Sequence, residues 1–290
     1  MEDKLLKEIK NNVGYVWINR PDKKNALDAD VWFGLPEVIN ELDCDDEVRC
    51  IVIAGKGDSF SAGIDITMFM SDFQINEDMS STPSDRKKLQ DQIKKMQDSF
   101  TALSKTSVPV IALAHGHCIG GATALISACD IRISTVDAKF SIGETKLGLV
   151  ADVGILQRMP KIVSKGDVRE LAFTGRIFDG EYAEKIRFVS KTYENFEDLF
   201  KAGVELAEEI ASNASSIVQG TKQVLDKGED LTTDQALDFV QLWNTSFLLT
   251  EDLREGVTAF MEKRKPKFSN KVSEDLPNFF PWRKSKFKDN

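Results

Sequence analysis

The sequence predicts an α/β fold whose strands pair in parallel. Short, near-continuous apolar runs recur at 13–18, 48–54 and 108–114, the pattern of strands buried on both faces. Stretches with three-and-four apolar spacing separate them, and strands alternating with helices imply parallel pairing through right-handed crossovers. The length, 290 residues with 41% hydrophobic and 29% charged side chains, is enough for one substantial core with a short appendage.

The elements follow in order. Residues 13–18 read as a strand that stops at the turn signal Asn19-Arg20-Pro21. Over 28–42, Val31, Leu35, Val38, Ile39 and Leu42 give helical spacing, with Asp28 placed to cap it. The run at 48–54 is closed by Gly55 and Gly57. Residues 71–86 are polar, with a Ser/Thr/Pro cluster in the middle, and read as a mobile loop. Helical spacing returns over 87–104 at Leu89, Ile93, Met96, Phe100 and Leu103. Strands follow at 108–114 and 129–134, then helices at 179–187, 195–212, 215–227, 232–249 and 251–264. After Pro266 the composition turns to Lys, Pro and aromatics, either a solvated terminus or a segment that docks on a neighbouring subunit or a phosphate.

Composition excludes several functions. The balance of 38 basic and 47 acidic side chains, a formal net charge of −9, works against nucleic-acid phosphate and anionic membrane surfaces. No apolar run approaches the roughly 20 residues that cross a bilayer, and the N-terminus lacks signal or transit composition, so a soluble intracellular protein is expected, in cytoplasm or an organelle matrix. Cys44, Cys50, Cys118 and Cys129 show no metal spacing and read as reduced thiols. With His115 and His117 the only histidines, no metal site is expected.

Two constellations can carry chemistry. Glycine-centred turns follow predicted strands at 60–66 and 115–122. Amides at such turns can bind developing negative charge, although Gly120 and Gly121 could equally serve close helix packing. The second constellation is 140–154, which sets Glu144 and Asp152 in apolar, glycine-broken surroundings. Burial there would raise both carboxyls toward neutrality, and two carboxyls in different environments suit acid and base roles. The alternative is that either acid caps a helix or meets an arginine such as Arg158. No Gly-x-Ser-x-Gly elbow and no Ser/His pair stands out, and His115 and His117 read as turn or interface residues.

Taken together, the motifs resemble the crotonase (enoyl-CoA hydratase/isomerase) superfamily, most closely its Δ3,5-Δ2,4-dienoyl-CoA isomerases. The resemblance runs from about residue 5 to 264. It rests on Asn19-Arg20-Pro21 with Lys24-Asn25-Ala26-Leu27, the segments 61–65, 115–121, 127–132 and 148–154, Leu156-Gln157-Arg158, and Trp243-Asn244. It implies a crotonase-like spiral of ββα units over 1–190 enclosing an acyl-CoA site, a helical trimerisation region over 191–265, a basic aromatic tail over 266–290, and a homotrimer or homohexamer. It implies that the amides of Ile64 and Gly121 hold the thioester oxygen, and that Ala62, Gly63, Asp65 and Ile66 lie along the coenzyme A moiety. Lys24, Phe260 and Lys263 are implied for phosphate contact. Glu144 and Asp152 are implied as the proton carriers. No cofactor is required, coenzyme A being part of the substrate, and the implied reaction moves the double bonds of a 3,5-dienoyl-CoA to 2,4 in fatty acid β-oxidation.

One departure bears on activity. Ala124 stands where related hydratases carry a glutamate and dienoyl isomerases an aspartate. Hydration, which needs two acids including that one, becomes improbable, whereas the path from Glu144 to Asp152 survives. Acyl-CoA hydrolases of the 3-hydroxyisobutyryl-CoA type share the Glu-to-Asp interval and a small residue at this position, although Gly143 replaces their proline. Hydrolysis, and acyl-CoA binding without turnover, are therefore the alternatives.

Overall fold

The computed structural model describes residues 3–68 and 82–269; the predicted loop over 71–81 and the tail beyond 269 lie outside the described residues. Strands β1 (Leu5–Lys10) and β2 (Val13–Ile18) pair antiparallel, Leu5 opposite Ile18. The two residues between them, Asn11 and Asn12, both have positive φ (51° and 62°), as a tight hairpin of the mirror-image type requires. Helix α1 (Ala29–Asp43) starts where Asp28 Oδ1 accepts a hydrogen bond from the Val31 amide at 3.1 Å, and buries Val31, Leu35, Ile39 and Leu42. β3 (Cys50–Gly55) follows, then α2 (Pro83–Ser104), β4 (Val110–Ala114), β5 (His117–Ile119), α3 (Gly121–Ser127), β6 (Ile131–Thr135) and β7 (Lys139–Ser141). After a 3-10 turn at Glu144–Leu147 come α4 (Ile155–Ile162), α5 (Lys165–Thr174), β8 (Phe178–Asp179), α6 (Gly180–Lys185) and β9 (Lys191–Tyr193). The described chain ends in α7 (Phe196–Ala211), α8 (Ser215–Gly228), α9 (Thr233–Phe247) and α10 (Glu251–Met261).

The strands form a six-stranded sheet, ordered β1-β2-β3-β4-β6-β9 and parallel from β2 onward, and a second sheet, β5-β7-β8. Strand alternation divides the apolar runs between two cores. Val16, Ile18, Ile51, Ile53, Val110 and Ala112 face α1 and α2, while Tyr15, Trp17, Val52, Ala54, Ile111 and Leu113 face α7. Helix α7 lies so close that a Cβ on Gly203 would come within 2.5 Å of Leu113 Cδ2.

Three expectations need correction. Residues 82–86 are not loop: Thr82 and Asp85 close a reciprocal capping box around Pro83, which starts α2 earlier than the apolar spacing shows. The chain after Asp179 is not purely helical, because β9 extends the main sheet. Helix α10 stops at Met261, where Lys263 turns left-handed (φ 54°) and Arg264 pairs back to Glu255 at 2.6 Å.

Candidate active site

The two glycine turns meet. Three parallel segments lie side by side around them. The amide of Ala62 donates to the Lys24 carbonyl (2.8 Å), Leu27 N to the Gly63 carbonyl (2.8 Å) and Asp65 N to the Leu27 carbonyl (3.0 Å). On the other side Ser61 N donates to the His117 carbonyl (2.8 Å) and Ile119 N to the Ser61 carbonyl (3.2 Å). Since amides alternate along extended chain, the Ile64 N–H points away from Leu27, toward the side where the 119–121 turn runs. Gly63 has φ +91°, and a Cβ there would fall 2.4 Å from the Ile119 carbonyl oxygen and 3.6 Å from the Gly121 nitrogen. That places the Gly121 amide, the first of α3, beside the turn that carries Ile64. Among the described residues neither amide donates a hydrogen bond. Unengaged donors on adjoining turns are groups that can stabilise an oxyanion.

Glu144 is brought to the same place by its loop. Gly120 N donates to the Ser141 carbonyl (2.9 Å), fastening the glycine turn to the end of β7. Three residues further on, Glu144 begins the 3-10 turn, which Gly148 closes in the left-handed region (φ 78°) and which Thr145 Oγ1 pins to the Ala172 carbonyl of α5 at 2.7 Å. Glu144 Oε1 ends 3.5 Å from where a Cβ on Gly120 would be, so the carboxylate lies against the glycine turn; it is the backbone of Gly120, φ 54° with ψ −115°, that is closed to L side chains. Glu144 Oε2 is buried without a hydrogen-bond partner. Burial raises the proton affinity of Glu144 above the ordinary carboxyl range, its own amide partly opposes this, and the charge of Asp152 adds a further upward push.

Asp152 departs from the expected enclosure. It is an exposed residue at the edge of the site, flanked by buried Ala151 and Val153, and Gln97 Nε2 of α2 donates to its main-chain carbonyl at 2.7 Å. Partial burial of the carboxyl still raises its proton affinity, and its own amide partly opposes this. Neither acid caps a helix through its side chain, and neither meets Arg158, whose guanidinium packs over Gly154 and donates to Thr101 Oγ1 (3.0 Å) and the Val153 carbonyl (3.3 Å).

The remaining implied residues divide. Lys24, Ala62 and Ile66, the last 74% exposed, lie on the paired segments beside the amides. The Asp65 carboxylate is turned into the protein, accepting from Thr67 Oγ1 (2.7 Å), Thr67 N (3.1 Å) and Arg20 Nη1 (3.0 Å), so its charge is spent within the chain. Phe260 and Lys263 are not brought to this site within one chain: no hydrogen bond or ring contact among the described residues joins them to it. Ala124 is fully buried one turn after Gly120 on α3, so the place where an acid is expected holds a methyl packed in the core.

Sequence reasoning missed two contributors. Ser59 Oγ lies 3.1 Å from His117 Nδ1 and accepts from the His117 amide at 3.2 Å, a Ser/His contact hidden by its separation along the chain. Burial first, then Lys24 and Lys139, hold His117 toward its neutral form. Fully buried Asn25 (φ 55°) spends its amide group on Arg20 N, the Lys56 carbonyl and the Ser59 carbonyl, tying the 20–27 loop to the 55–60 loop. No disulfide joins Cys44, Cys50, Cys118 or Cys129. A cleft of about 1140 Å³ between α4 and α8, lined by Arg158, Lys161, Lys222 and Asp226, includes neither carboxyl of the site.

Two amides without hydrogen-bond partners among the described residues thus adjoin one partly buried carboxyl of raised proton affinity, with a second, exposed, carboxyl close enough for its charge to be felt. The chain belongs to the enoyl-CoA hydratase/isomerase family, whose model matches residues 8–271. It is 40% identical over 269 residues to the peroxisomal Delta(3,5)-Delta(2,4)-dienoyl-CoA isomerase of Arabidopsis thaliana, covering 91% of this chain and 95% of that protein. It is 38% identical to the mitochondrial enzyme of that name from Mus musculus, covering 88% and 78%. Among solved structures it is similar to an enoyl-CoA hydratase from Bacillus anthracis, with a TM-score of 0.83 and 25% identity, covering 92% of this chain and 99% of that one. No helix among the described residues is long and apolar enough to cross a membrane.

Proposed function

We propose that the protein isomerises a 3,5-dienoyl-CoA to the 2,4-dienoyl-CoA. The observation that carries this reading is the pair of acids on one loop, Glu144 over the glycine turn and Asp152 at the edge, with a methyl at Ala124 where a third acid would serve hydration. Relatives 37% to 40% identical carry the name of that activity. One carboxylate removes a proton from C2. The resulting negative charge spreads onto the thioester oxygen, where the Ile64 and Gly121 amides hold it, each donor being worth about 3 kcal/mol by analogy with measured oxyanion-hole losses. The conjugate acid of the other carboxyl then protonates C6, and the two groups exchange protonation states between turnovers. The chemistry needs no metal or redox step; the coenzyme A belongs to the substrate.

The coenzyme A moiety runs along Ala62, Gly63, the Asp65 main chain and Ile66, with its phosphates toward Lys24. Lys139, opposite His117 in the register of β5 and β7, adds a second cation on that side. Phe260 and Lys263 reach a coenzyme A only from another subunit, in a homotrimer or homohexamer that covers the exposed Leu237 and Leu242 of α9, Leu249 of the turn after it, and Val257 and Met261 of α10. Gly143-Glu144-Thr145 together with Ala124 favours one second reading, thioester hydrolysis. Incubation with a 3,5-dienoyl-CoA separates the cases: isomerisation raises the absorbance of the conjugated thioester, hydrolysis releases a free thiol, and a binder does neither.

A further inference from the structure

Arg20 lies just past the end of β2, is largely buried at 15% side-chain exposure, and is not among the residues that could touch a substrate by the reading above. Its Nη1 donates to the Ala26 carbonyl at 2.5 Å and to Asp65 Oδ2 at 3.0 Å, while Nη2 lies 3.4 Å from Asp28 Oδ2. Asp28 is itself fixed, as the cap of α1 and by Lys4 Nζ at 2.6 Å. Asp65 is held from the other side by Thr67. The two groups that Nη1 grips, Ala26 and Asp65, flank the Leu27–Ile64 bridge on its two strands. One guanidinium therefore spans the pairing that sets the direction of the Ile64 N–H.

We propose that Arg20 is a positioning residue: by clamping Asp65 against the 26–28 segment it aims the Ile64 amide at the reacting oxygen. The proposal rests on the oxyanion reading of Ile64. A donor stabilises developing charge only when it is already oriented, and a shift of about 1 Å in such a group is worth about a hundredfold in rate. Loss of the clamp should therefore lower kcat, while KM, set by contacts along the coenzyme A, moves little. Asp65 takes part through the same pair, so removing either partner should have much the same effect as removing both.

The test uses the full chain and the variants R20M, R20K, D65N and R20M/D65N. It measures kcat and KM on a 3,5-dienoyl-CoA, and the enolate fraction of bound acetoacetyl-CoA by its ultraviolet absorbance, a reading of the oxyanion site that needs no turnover. R20M and D65N should each lower kcat about tenfold to a hundredfold with KM within about threefold, and lower the bound enolate fraction. The double variant should be no worse than R20M. R20K, which restores charge without the planar fork, should recover part of the loss. If R20M does not fold, D65N and R20K carry the same comparison. An unchanged enolate fraction in variants of a wild type that enolises acetoacetyl-CoA overturns the clamp alone, as does a rise in KM at constant kcat or an additive double variant. A wild type that enolises acetoacetyl-CoA but leaves the dienoyl-CoA untouched overturns the isomerase reading and leaves the clamp measurable. A wild type that binds neither thioester overturns both.

Discussion

Replacing Glu144 by Gln keeps the shape of the side chain and removes its ability to take up and release a proton. Positioned acid–base groups contribute about 10² to 10⁴ in rate, so kcat should fall by about a thousandfold, or about 4 kcal/mol of barrier at 1.36 kcal/mol per decade. The same substitution should stabilise the fold at neutral pH, because ionising the wild-type carboxyl leaves charge on a buried, unpartnered Oε2. The sign follows from linkage. Burial raises the folded-state pKa above the unfolded value, so the folded protein holds the extra proton, and the stability this gives is present below the unfolded pKa and lost as pH rises through the folded one. E144Q should therefore melt higher than wild type at neutral pH, with the difference vanishing in acid. Initial rates on a 3,5-dienoyl-CoA and thermal melts across the acid-to-neutral range measure both effects. Retained turnover, or a variant that melts lower at neutral pH, would refute the placement of Glu144 as a buried proton carrier.

Further outcomes follow from the same geometry. With one carboxyl ionised and one protonated in each turnover, the rate should peak in a bell whose limbs both lie above the ordinary carboxylate range; D152N should move the Glu144 limb to lower pH by removing the charge that raises it, as a pH–rate profile would register. G63A forces a Cβ to 2.4 Å from the Ile119 carbonyl at φ +91° and should cost about a hundredfold in kcat by displacing the Ile64 donor, together with a lowered melting temperature. A124D restores an acid one helical turn from Gly120, whose added Cβ would lie 3.5 Å from Glu144 Oε1; the rate should rise and the pH–rate limbs should shift upward through like-charge coupling. K222A breaks the buried contact of Nζ with Asp130 (2.6 Å) and Thr106 (3.1 Å) that fastens α8 to the core, and should destabilise the fold by about 3 kcal/mol in denaturant titrations without altering the site.

How far the sequence could be read differs from element to element. The β3 and β4 runs were legible because both faces of the sheet are covered, so their apolar residues are continuous. β1 was not, since most of Leu5–Lys10 is solvent-facing at a sheet edge and its pattern is charged. Strands as short as β5, β7, β8 and β9 carry too few residues for a period to register; they are fixed by long-range pairing such as His117 with Lys139. The start of α2 depended on the local chemistry of Thr82, Pro83 and Asp85 rather than on apolar spacing. At the site, Glu144, Gly121 and Ile64 were singled out through motifs, and the structure sets the glycine turns and Glu144 beside one another. The use of the Asp65 carboxylate by Arg20, separated from it by 45 residues, and of Ser59 by His117, separated by 58, has no local signature. The exposure of Asp152 was equally hidden, because the apolar residues beside it at Ala151 and Val153 point inward while it points out.

The central claim is that two carboxyls serve two different carbons of one conjugated chain, and turnover of a 3,5-dienoyl-CoA in deuterium oxide, read by NMR, tests it most directly. Wild-type product should carry deuterium at C6. Of E144Q and D152N, the one that lacks the C6 acid should still wash deuterium into C2 of the unreacted substrate without forming product, and the one that lacks the C2 base should do neither. Full isomerisation by either variant, or loss of C2 exchange in both, would contradict the division of labour.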